Sequence, residues 1–270
     1  MSTPAPTRDA ATILLIRDTS DGIEVFMQVR HHKIDFAAGA LVFPGGAVDA
    51  ADLDSGVRER TDGIEGLSER EAGFRIAAVR EVFEECGVLL AREQGQADLV
   101  DATRAQDLYN RHAAAIQSED LNLGQLLADE SLRLACDELV PFAHWITPES
   151  QPKRFDTRFY VARAPEGHHA THDGMESVES IWVTPAQICK EADEGKWHVM
   201  FPTRMNIERL GQRDQVEAAL ALAAQTPVVP ILPKAVKTDA GRKLKIPIEA
   251  GYGVSEVLVD KRGSIHPIKN

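Results

Sequence analysis

The stretch that decides the fold is Arg80-Glu81-Val82-Phe83-Glu84-Glu85-Cys86-Gly87-Val88. In a helix, residues three and four positions apart share a face, so Glu81, Glu84 and Glu85 lie within about 100° of arc. The opposite arc is apolar and comprises Ile76, Val79, Val82, Phe83 and Cys86. The pattern predicts an amphipathic helix that packs one side on a core and presents three carboxylates on the other.

Those carboxylates are poorly placed for the stability of the helix itself. Gly87 is typical of the left-handed residue that ends a helix. Glu84 and Glu85 then fall in the last turn, where the helix dipole disfavours each by roughly 0.3–1 kcal/mol. A divalent cation would offset this repulsion, and oxygen ligands favour Mg²⁺ or Mn²⁺ over zinc. A solvated acidic face is the alternative, and spacing alone does not decide between the two.

Composition limits the classes of function. The chain has 270 residues, of which 43% are hydrophobic and 27% charged, as in an ordinary soluble globular protein. Its net charge of −12 argues against nonspecific nucleic-acid binding, which needs a basic surface. No apolar run is long enough for a transmembrane helix, and three widely spaced cysteines fit no zinc or disulfide pattern. We expect a cytoplasmic protein with no nucleic-acid or membrane partner.

Strands are predicted where apolar runs are short or alternate, and helices where Ala, Leu, Arg and Glu dominate. The predicted strands are residues 12–17, 24–30, 39–43, 139–146, 158–164 and 178–183. The predicted helices run from 68 or 74 to 86, and over 97–116, 121–134, 185–194 and 202–224, the last with a break at Gly211. Strands mixed with helices throughout favour a layered α/β/α arrangement.

Two separate segments together resemble the Nudix box. The usual form of that motif is G-x5-E-x7-R-E-U-x-E-E-x-G-U, with U apolar, and residues 80–88 match its second half at every specified position. Phe43-Pro44-Gly45-Gly46 resembles the glycine turn that opens the box, and Trp182-Val183-Thr184-Pro185 resembles the family's late strand and following helix. The resemblance extends over residues 12–194.

The resemblance implies an α/β fold, the Nudix α/β/α sandwich with a mixed sheet. We expect this domain to cover residues 10–225, with a helical insertion at about 97–134. Residues 226–270 are then a C-terminal extension whose role the sequence does not indicate.

The first half of the box departs from the usual spacing. Arg80 follows Gly46 by 34 residues, whereas the pattern requires 14, so about 20 extra residues interrupt the motif. The first glutamate of the box falls on Asp52 when counted forward from Gly46 and on Ala72 when counted back from Arg80, and we assign no role to that position. An interrupted box of this kind resembles one subgroup, the peroxisomal coenzyme A diphosphatases and their bacterial relatives. Residues 42–46, 84–90 and 154–159 also resemble that subgroup.

The resemblance implies metal-dependent hydrolysis of a pyrophosphate bond. Glu81, Glu84 and Glu85 are expected to hold Mg²⁺ or Mn²⁺ together with a backbone carbonyl of the glycine turn, from Gly45 or, as we choose, Gly46. Arg80 is expected to orient Glu81 through a charge-assisted hydrogen bond.

Further site residues are expected outside the box. Family members usually carry another carboxylate, a metal ligand or general base, before the tryptophan-bearing strand; our first choice is Glu176 and our second Glu179. Arg30, Arg154 and Arg158 are the candidates for binding substrate phosphates. Surface ion pairs are the alternative for Arg154 and Arg158, and an exposed strand end is the alternative for Arg30.

Three functions stay open at this point. The leading one is hydrolysis of coenzyme A or an acyl derivative to 3′,5′-ADP and a 4′-phosphopantetheine. The second is hydrolysis of ADP-ribose, NADH or a dinucleoside polyphosphate. The third is a nucleotide-sensing module without catalysis, which the presence of all three box glutamates disfavours. In each case the partner is a small nucleotide, and the helical region could also form a homodimer contact.

Overall fold

A computed structural model describes residues 4–31, 39–118, 120–168, 170, 177–260 and 265–267. The strands of the main, mixed sheet are β1 (Thr7–Thr19), β2 (Gly22–Arg30), β3 (Leu41–Val42), β4 (Gly45–Ala47), β8 (Val140–Ile146), β9 (Arg154–Arg163), β10 (Ser177–Val183) and β11 (Pro230–Ile231). Their order in the sheet is β10-β2-β1-β9-β8-β11, with β3 beside β2 and β4 beside β1. Two smaller sheets comprise β5 (Thr61–Asp62), β6 (Ala91–Glu93) and β7 (Leu132–Ala135), and β12 (Lys234–Thr238), β13 (Gly241–Lys245), β14 (Glu256–Asp260) and β15 (Ile265–Pro267).

Helices cover both faces of the main sheet. They are α1 (Ser55–Glu59), α2 (Glu69–Cys86), α3 (Ala102–Gln117), α4 (Leu123–Asp129), α5 (Pro185–Asp193), α6 (Phe201–Leu210) and α7 (Val216–Gln225). Alternate residues of β1 point to opposite faces, as the pleat of a strand requires. Ile13 and Leu15 pack with α2, α3 and α4 in one apolar cluster. Leu14 and Ile16 pack with α5, α6 and α7 in another, which confirms the predicted α/β/α class.

The acidic helix lies where its sequence predicts. Ser68 is the N-cap, and its hydroxyl accepts a hydrogen bond from the backbone N–H of Glu71. Gly87 closes the other end at φ 69°, the left-handed conformation that glycine adopts most easily. The apolar arc of α2 is buried, so its acidic arc is left to face the β4 turn.

The predicted helix over residues 121–134 is wrong in its second half. Helix α4 ends at Asp129, and Ser131 takes a positive φ of 53°, which breaks the helical path. The chain after it forms β7, which pairs antiparallel with β6 and parallel with β5. Leu132, Leu134 and Ala135 are buried in this strand, so tertiary pairing outweighs their helical propensity.

The segment that interrupts the motif is folded. After β4 the chain makes a single turn of 3-10 helix at Ala50–Leu53, then α1 and β5, before α2 begins. Strand β5 pairs with β7 through Thr61–Leu134 and Asp62–Ala135. Through this pairing the inserted segment is held against β7, which lies between α2 and β8 in the sequence.

The main sheet extends past both limits expected for the domain. Strand β1 begins at Thr7, and β11 of the C-terminal segment pairs in parallel with β8. Ile246 and Tyr252 also join the apolar cluster of α5, α6 and α7. No helix within the described ranges combines the length and apolar character needed to cross a bilayer.

Candidate functional site

One guanidinium lies at the centre of the acidic arc. Arg80 is 7% exposed and donates to both carboxylate oxygens of Asp52, from Nε at 2.8 Å and from Nη2 at 2.9 Å. Its Nη1 donates to Glu81 Oε1 at 3.0 Å and to Glu84 Oε2 at 2.8 Å. Its Nη2 also donates to the backbone carbonyl of Ala47 at 3.0 Å, which joins the helix to β4. The expected hydrogen bond between Arg80 and Glu81 is therefore present.

Asp52 is the site residue to which the sequence assigned no role. It is fully buried, lies in the 3-10 turn after β4, and accepts a further bond from the Asp49 N–H at 2.8 Å. It stands six positions after Gly46, where the unbroken motif has its first glutamate. Counting forward from the glycine was the signal that locates it, because the interruption follows this position instead of preceding it.

The two glycines of the turn lie close to the acidic helix and to β1. A Cβ on Gly46 would lie 2.5 Å from Glu81 Oε1. A Cβ on Gly45, whose φ is 149°, would lie 2.3 Å from the carbonyl oxygen of Ala11. The Gly45 N–H donates to Glu85 Oε2 at 3.0 Å. The two halves of the interrupted motif thus meet in space, with Glu81 and Glu85 against the turn.

Negative charge exceeds positive charge in this group of residues, which we call the Arg80 cluster: Asp52, Arg80, Glu81, Glu84 and Glu85. Burial raises the pKa of Glu81 to about 7; Arg80 opposes that shift, and the Glu84 charge adds to it. Burial also raises the pKa of Glu84, again against Arg80. Burial works against the charge of Arg80, but hydrogen bonding to Asp52 and the charge of Glu81 raise its pKa. The site therefore holds more carboxylates than its one cation can balance.

The donor set fits a hard divalent cation. Its side chains offer carboxylate oxygens, the ligands that Mg²⁺ and Mn²⁺ prefer, and Gly46 leaves open the space beside Glu81 that a Cβ would fill. Within the described ranges, no three side chains of His, Cys, Asp or Glu converge closely enough to hold a metal. Glu81 and Glu84 accept from Arg80 and Glu85 accepts from the Gly45 N–H, so a bound ion would compete with those hydrogen bonds.

Four of the five candidate site residues outside the motif lie on strands β2, β9 and β10 of the main sheet. Glu176 lies outside the described residues, and Glu179 is an exposed residue of β10 paired with Val29. Arg30 ends β2, and its backbone N–H donates to the carbonyl of Ala40, on the strand that leads into the glycine turn. The main chain of Arg30 therefore borders the segment that leads into the glycine turn, and the role of its guanidinium toward substrate stays a prediction.

The two arginines of β9 have partners of their own. Arg154 donates to the backbone carbonyls of Thr147 at 3.0 Å and Ala5 at 2.7 Å. Arg158 donates to Glu71 at 2.9 Å and stacks over Phe74, near the start of α2. The structure brings neither side chain into the Arg80 cluster, and their role toward substrate stays a prediction.

Comparison with known proteins gives consistent matches. A family model described as the NUDT19 Nudix domain matches residues 57–210. "Putative nudix hydrolase 7" of Caenorhabditis elegans is 30% identical over 205 residues, which is 76% of this chain and 61% of that protein. "Acyl-coenzyme A diphosphatase NUDT19" of Xenopus laevis is 23% identical over 72% of this chain and 60% of that protein. The chain thus spans about three fifths of the length of these relatives.

A solved structure shows the same fold. The NUDIX hydrolase from Alicyclobacillus acidocaldarius superposes with a TM-score of 0.68 at 24% identity. The match covers 80% of this chain and 96% of the other. At that identity the likeness concerns the fold alone, and it agrees with the sandwich expected from the sequence.

Proposed function

The chain belongs to the Nudix family, and from that premise we propose that it hydrolyses the pyrophosphate bond of a nucleoside diphosphate derivative. The proposed substrate is coenzyme A or an acyl-coenzyme A. The products would be 3′,5′-ADP and 4′-phosphopantetheine or its acyl form. The observation that carries the hydrolase proposal is the Arg80 cluster. Glu81 and Glu85 lie against the glycine turn there, Glu84 shares Arg80 with Glu81, and the carboxylates exceed the positive charge beside them.

Nudix hydrolases generally need a divalent metal, and we propose Mg²⁺ or Mn²⁺ here. Glu81, Glu84 and Glu85, with the backbone carbonyl of Gly46, would hold it. When bound, such an ion neutralises pyrophosphate charge and lowers the pKa of a bound water.

Side chains of the protein would position the metal ligands and the substrate, and one would take a proton from the attacking water. Arg80, clamped by Asp52, fixes the direction of the Glu81 carboxylate. Glu176, or Glu179 in second place, would accept a proton from the attacking water. Arg30, Arg154 and Arg158 would bind phosphates of the nucleotide.

Support for the coenzyme A substrate is of two kinds. The interruption between Asp52 and Arg80 resembles the coenzyme A diphosphatase subgroup, and a relative that bears that name matches over most of this chain. A substrate panel tests this choice directly.

The test is a substrate panel in ¹⁸O-labelled water with product masses. Coenzyme A, acyl-coenzyme A, ADP-ribose, NADH and a dinucleoside polyphosphate are compared with Mg²⁺ and with Mn²⁺. The expected result is the highest kcat/KM for a coenzyme A compound, with label in one product that identifies the attacked phosphorus. Negligible coenzyme A cleavage beside turnover of another compound would move the assignment to that compound. Tight nucleotide binding by calorimetry with no turnover would identify a sensing module.

We also propose a location and an assembly state. We expect the protein in the cytoplasmic fraction of its cell. A homodimer is tested by light scattering after size exclusion.

A further inference from the structure

Gln28 is a buried polar residue in an apolar strand. It is 1% exposed, and Val25, Phe26, Met27 and Val29 around it on β2 are buried hydrophobic residues. A buried amide is costly unless its donors and acceptor find partners. The hydrogen-bond partners of Gln28 therefore indicate its role in the structure.

Those partners lie at the end of the acidic helix. Gln28 Nε2 donates to Cys86 Sγ at 3.1 Å and lies 3.4 Å from the backbone carbonyl of Glu85, which it also donates to. That carbonyl is among the last of α2, which have no partner inside the helix. Because a carbonyl only accepts, it fixes the amide with its nitrogen toward α2. The Gln28 oxygen then accepts from the Ser177 hydroxyl at 3.0 Å.

The same residue also borders the approach to the glycine turn. Its backbone is in register with Val42 of β3, three residues before Gly45. The Gly45 N–H in turn donates to the Glu85 carboxylate. A closed ring results: Gln28 to β3 by strand pairing, β3 to Gly45 along the chain, Gly45 to the Glu85 side chain, and the Glu85 carbonyl back to Gln28. Glu85 is held at both ends, its carboxylate by the turn and its backbone by Gln28.

We infer that Gln28 is a positioning residue for the metal-binding carboxylates: it fixes the last turn of α2 against the glycine turn and so sets where Glu85 points. This inference rests on the proposed function of Glu85 as a metal ligand. Gln28 itself acts only through Glu85 and the helix end. Partners of this indirect kind affect metal affinity or activity by roughly 10-fold to 100-fold when removed.

The test compares three variants with the wild type. Gln28→Met removes both amide donors at nearly unchanged volume, and Gln28→Asn keeps the amide but shortens its reach by one methylene. Val29→Ala is the matched control, because Val29 neighbours Gln28 on β2 but packs in the apolar cluster on the opposite face of the sheet. Mn²⁺ binding is measured by electron paramagnetic resonance without nucleotide, beside kcat, KM and Tm.

For both Gln28 variants we expect the Mn²⁺ dissociation constant to rise and kcat to fall by about 10-fold, with KM within about twofold. Raising Mn²⁺ should recover most of the lost kcat, which a merely structural defect would not do. Val29→Ala should lower Tm and leave Mn²⁺ affinity unchanged. If Gln28→Met does not fold, Gln28→Asn carries the same expectation.

Two results would overturn the inference. One is wild-type Mn²⁺ affinity in a folded Gln28 variant. The other is equal weakening in Val29→Ala at the same loss of Tm. The proposed function fails separately, if the wild type cleaves no pyrophosphate while its Mn²⁺ affinity still depends on Gln28.

Discussion

Helix α2 carries two charged clusters, one at each end, and they differ in balance. At its start lies what we call the Arg70 cluster: Asp9, Arg70, Glu71, Asp156 and Arg158. Arg70 donates to Asp9 at 2.7 Å and to Asp156 at 2.9 Å, and Arg158 donates to Glu71 at 2.9 Å. Two guanidiniums there serve three carboxylates. The Arg80 cluster has one guanidinium for four carboxylates: Arg80 donates to three of them, and the fourth, Glu85, accepts from the Gly45 N–H.

The pKa values follow that difference. Burial opposes ionisation of Asp156, but hydrogen bonding to Arg70 and the neighbouring His144 and Arg158 outweigh it and hold the pKa of Asp156 below its usual range. For Glu81 the effect of burial outweighs that of the Arg80 charge, and the net effect is to raise the pKa of Glu81 to about 7. The first cluster is complete as protein and fastens α2 to β1 and β9. The second cluster keeps an excess of negative charge, which the proposed divalent cation would balance.

The largest expected effect is on catalytic activity, which should depend on the Arg80 cluster and not on the Arg70 cluster. We expect Glu84→Gln combined with Glu85→Gln to lower kcat/KM by about 1,000-fold, which is ~4 kcal/mol of transition-state stabilisation, because metal ligands are lost. Glu71→Gln, on the same helix, should change it by less than about threefold. Steady-state kinetics with Mg²⁺ on the best substrate of the panel checks both.

This contrast would break if the double variant kept its Mg²⁺-dependent turnover. It would also break if Glu71→Gln lost as much activity while folded. Circular dichroism of each variant supplies the folding control.

The next effect concerns stability. Asp52→Asn leaves Arg80 buried with a poorer partner, and removal of one member of a buried ion pair costs about 3 kcal/mol. Asp9→Asn breaks a pair whose side chains are partly exposed, and should cost under about 1 kcal/mol. Urea unfolding measures both. Equal losses would mean that burial does not distinguish the two arginines.

A smaller effect depends on pH. Because the pKa of Glu81 is raised in the folded protein, the folded state keeps a proton that the unfolded state releases between about pH 4.5 and 7. Stability of the metal-free protein should therefore fall over that window, with Tm lower by at least ~3 °C at pH 8 than at pH 5.5. Added Mg²⁺ should raise Tm more at pH 8, where no proton competes.

Glu81→Gln is the control for that pH effect. It should flatten the dependence of Tm on pH and reduce the Mg²⁺ response. A wild-type Tm that rises steadily from pH 5.5 to 8 without metal would contradict the assignment to Glu81.

The smallest expected effect sharpens the role of the Arg70 cluster. If Arg158 binds a substrate phosphate in addition to its ion pair with Glu71, Arg158→Gln should raise KM by about threefold and leave kcat unchanged. Substrates with and without a 3′-phosphate, compared by KM, locate that contact. An unchanged KM for both would restrict Arg158 to holding α2.

The sequence predicted the end of α2 at Cys86, because the apolar period and Gly87 are local signals, and left its start open between Ser68 and Phe74. The structure begins the helix at Glu69, after the Ser68 N-cap. It also predicted the meeting of the glycine turn with the glutamates, through the family pattern. It did not predict that Asp52 clamps Arg80, since 28 residues separate them and counting gave two answers. The hydrogen bonds from Gln28 to α2 span 57 and 58 residues, and no local pattern indicates them. Strand β7 was missed because its pairing with β5 and β6 is equally remote.

The pairing of β5 with β7 has a consequence for how such motifs diverge. Lengthening the span from 14 to 34 residues costs only ~1 kcal/mol of chain-closure entropy, and the added segment recovers part of this by its own strand pairing. Insertions at this point are therefore nearly neutral, as long as they follow Asp52. A sequence pattern used to search for related genes should treat the glycine turn and the acidic residue six positions after Gly46 as one fixed block. It should treat Arg80 and the three glutamates of α2 as a second block, and allow any spacing between the two.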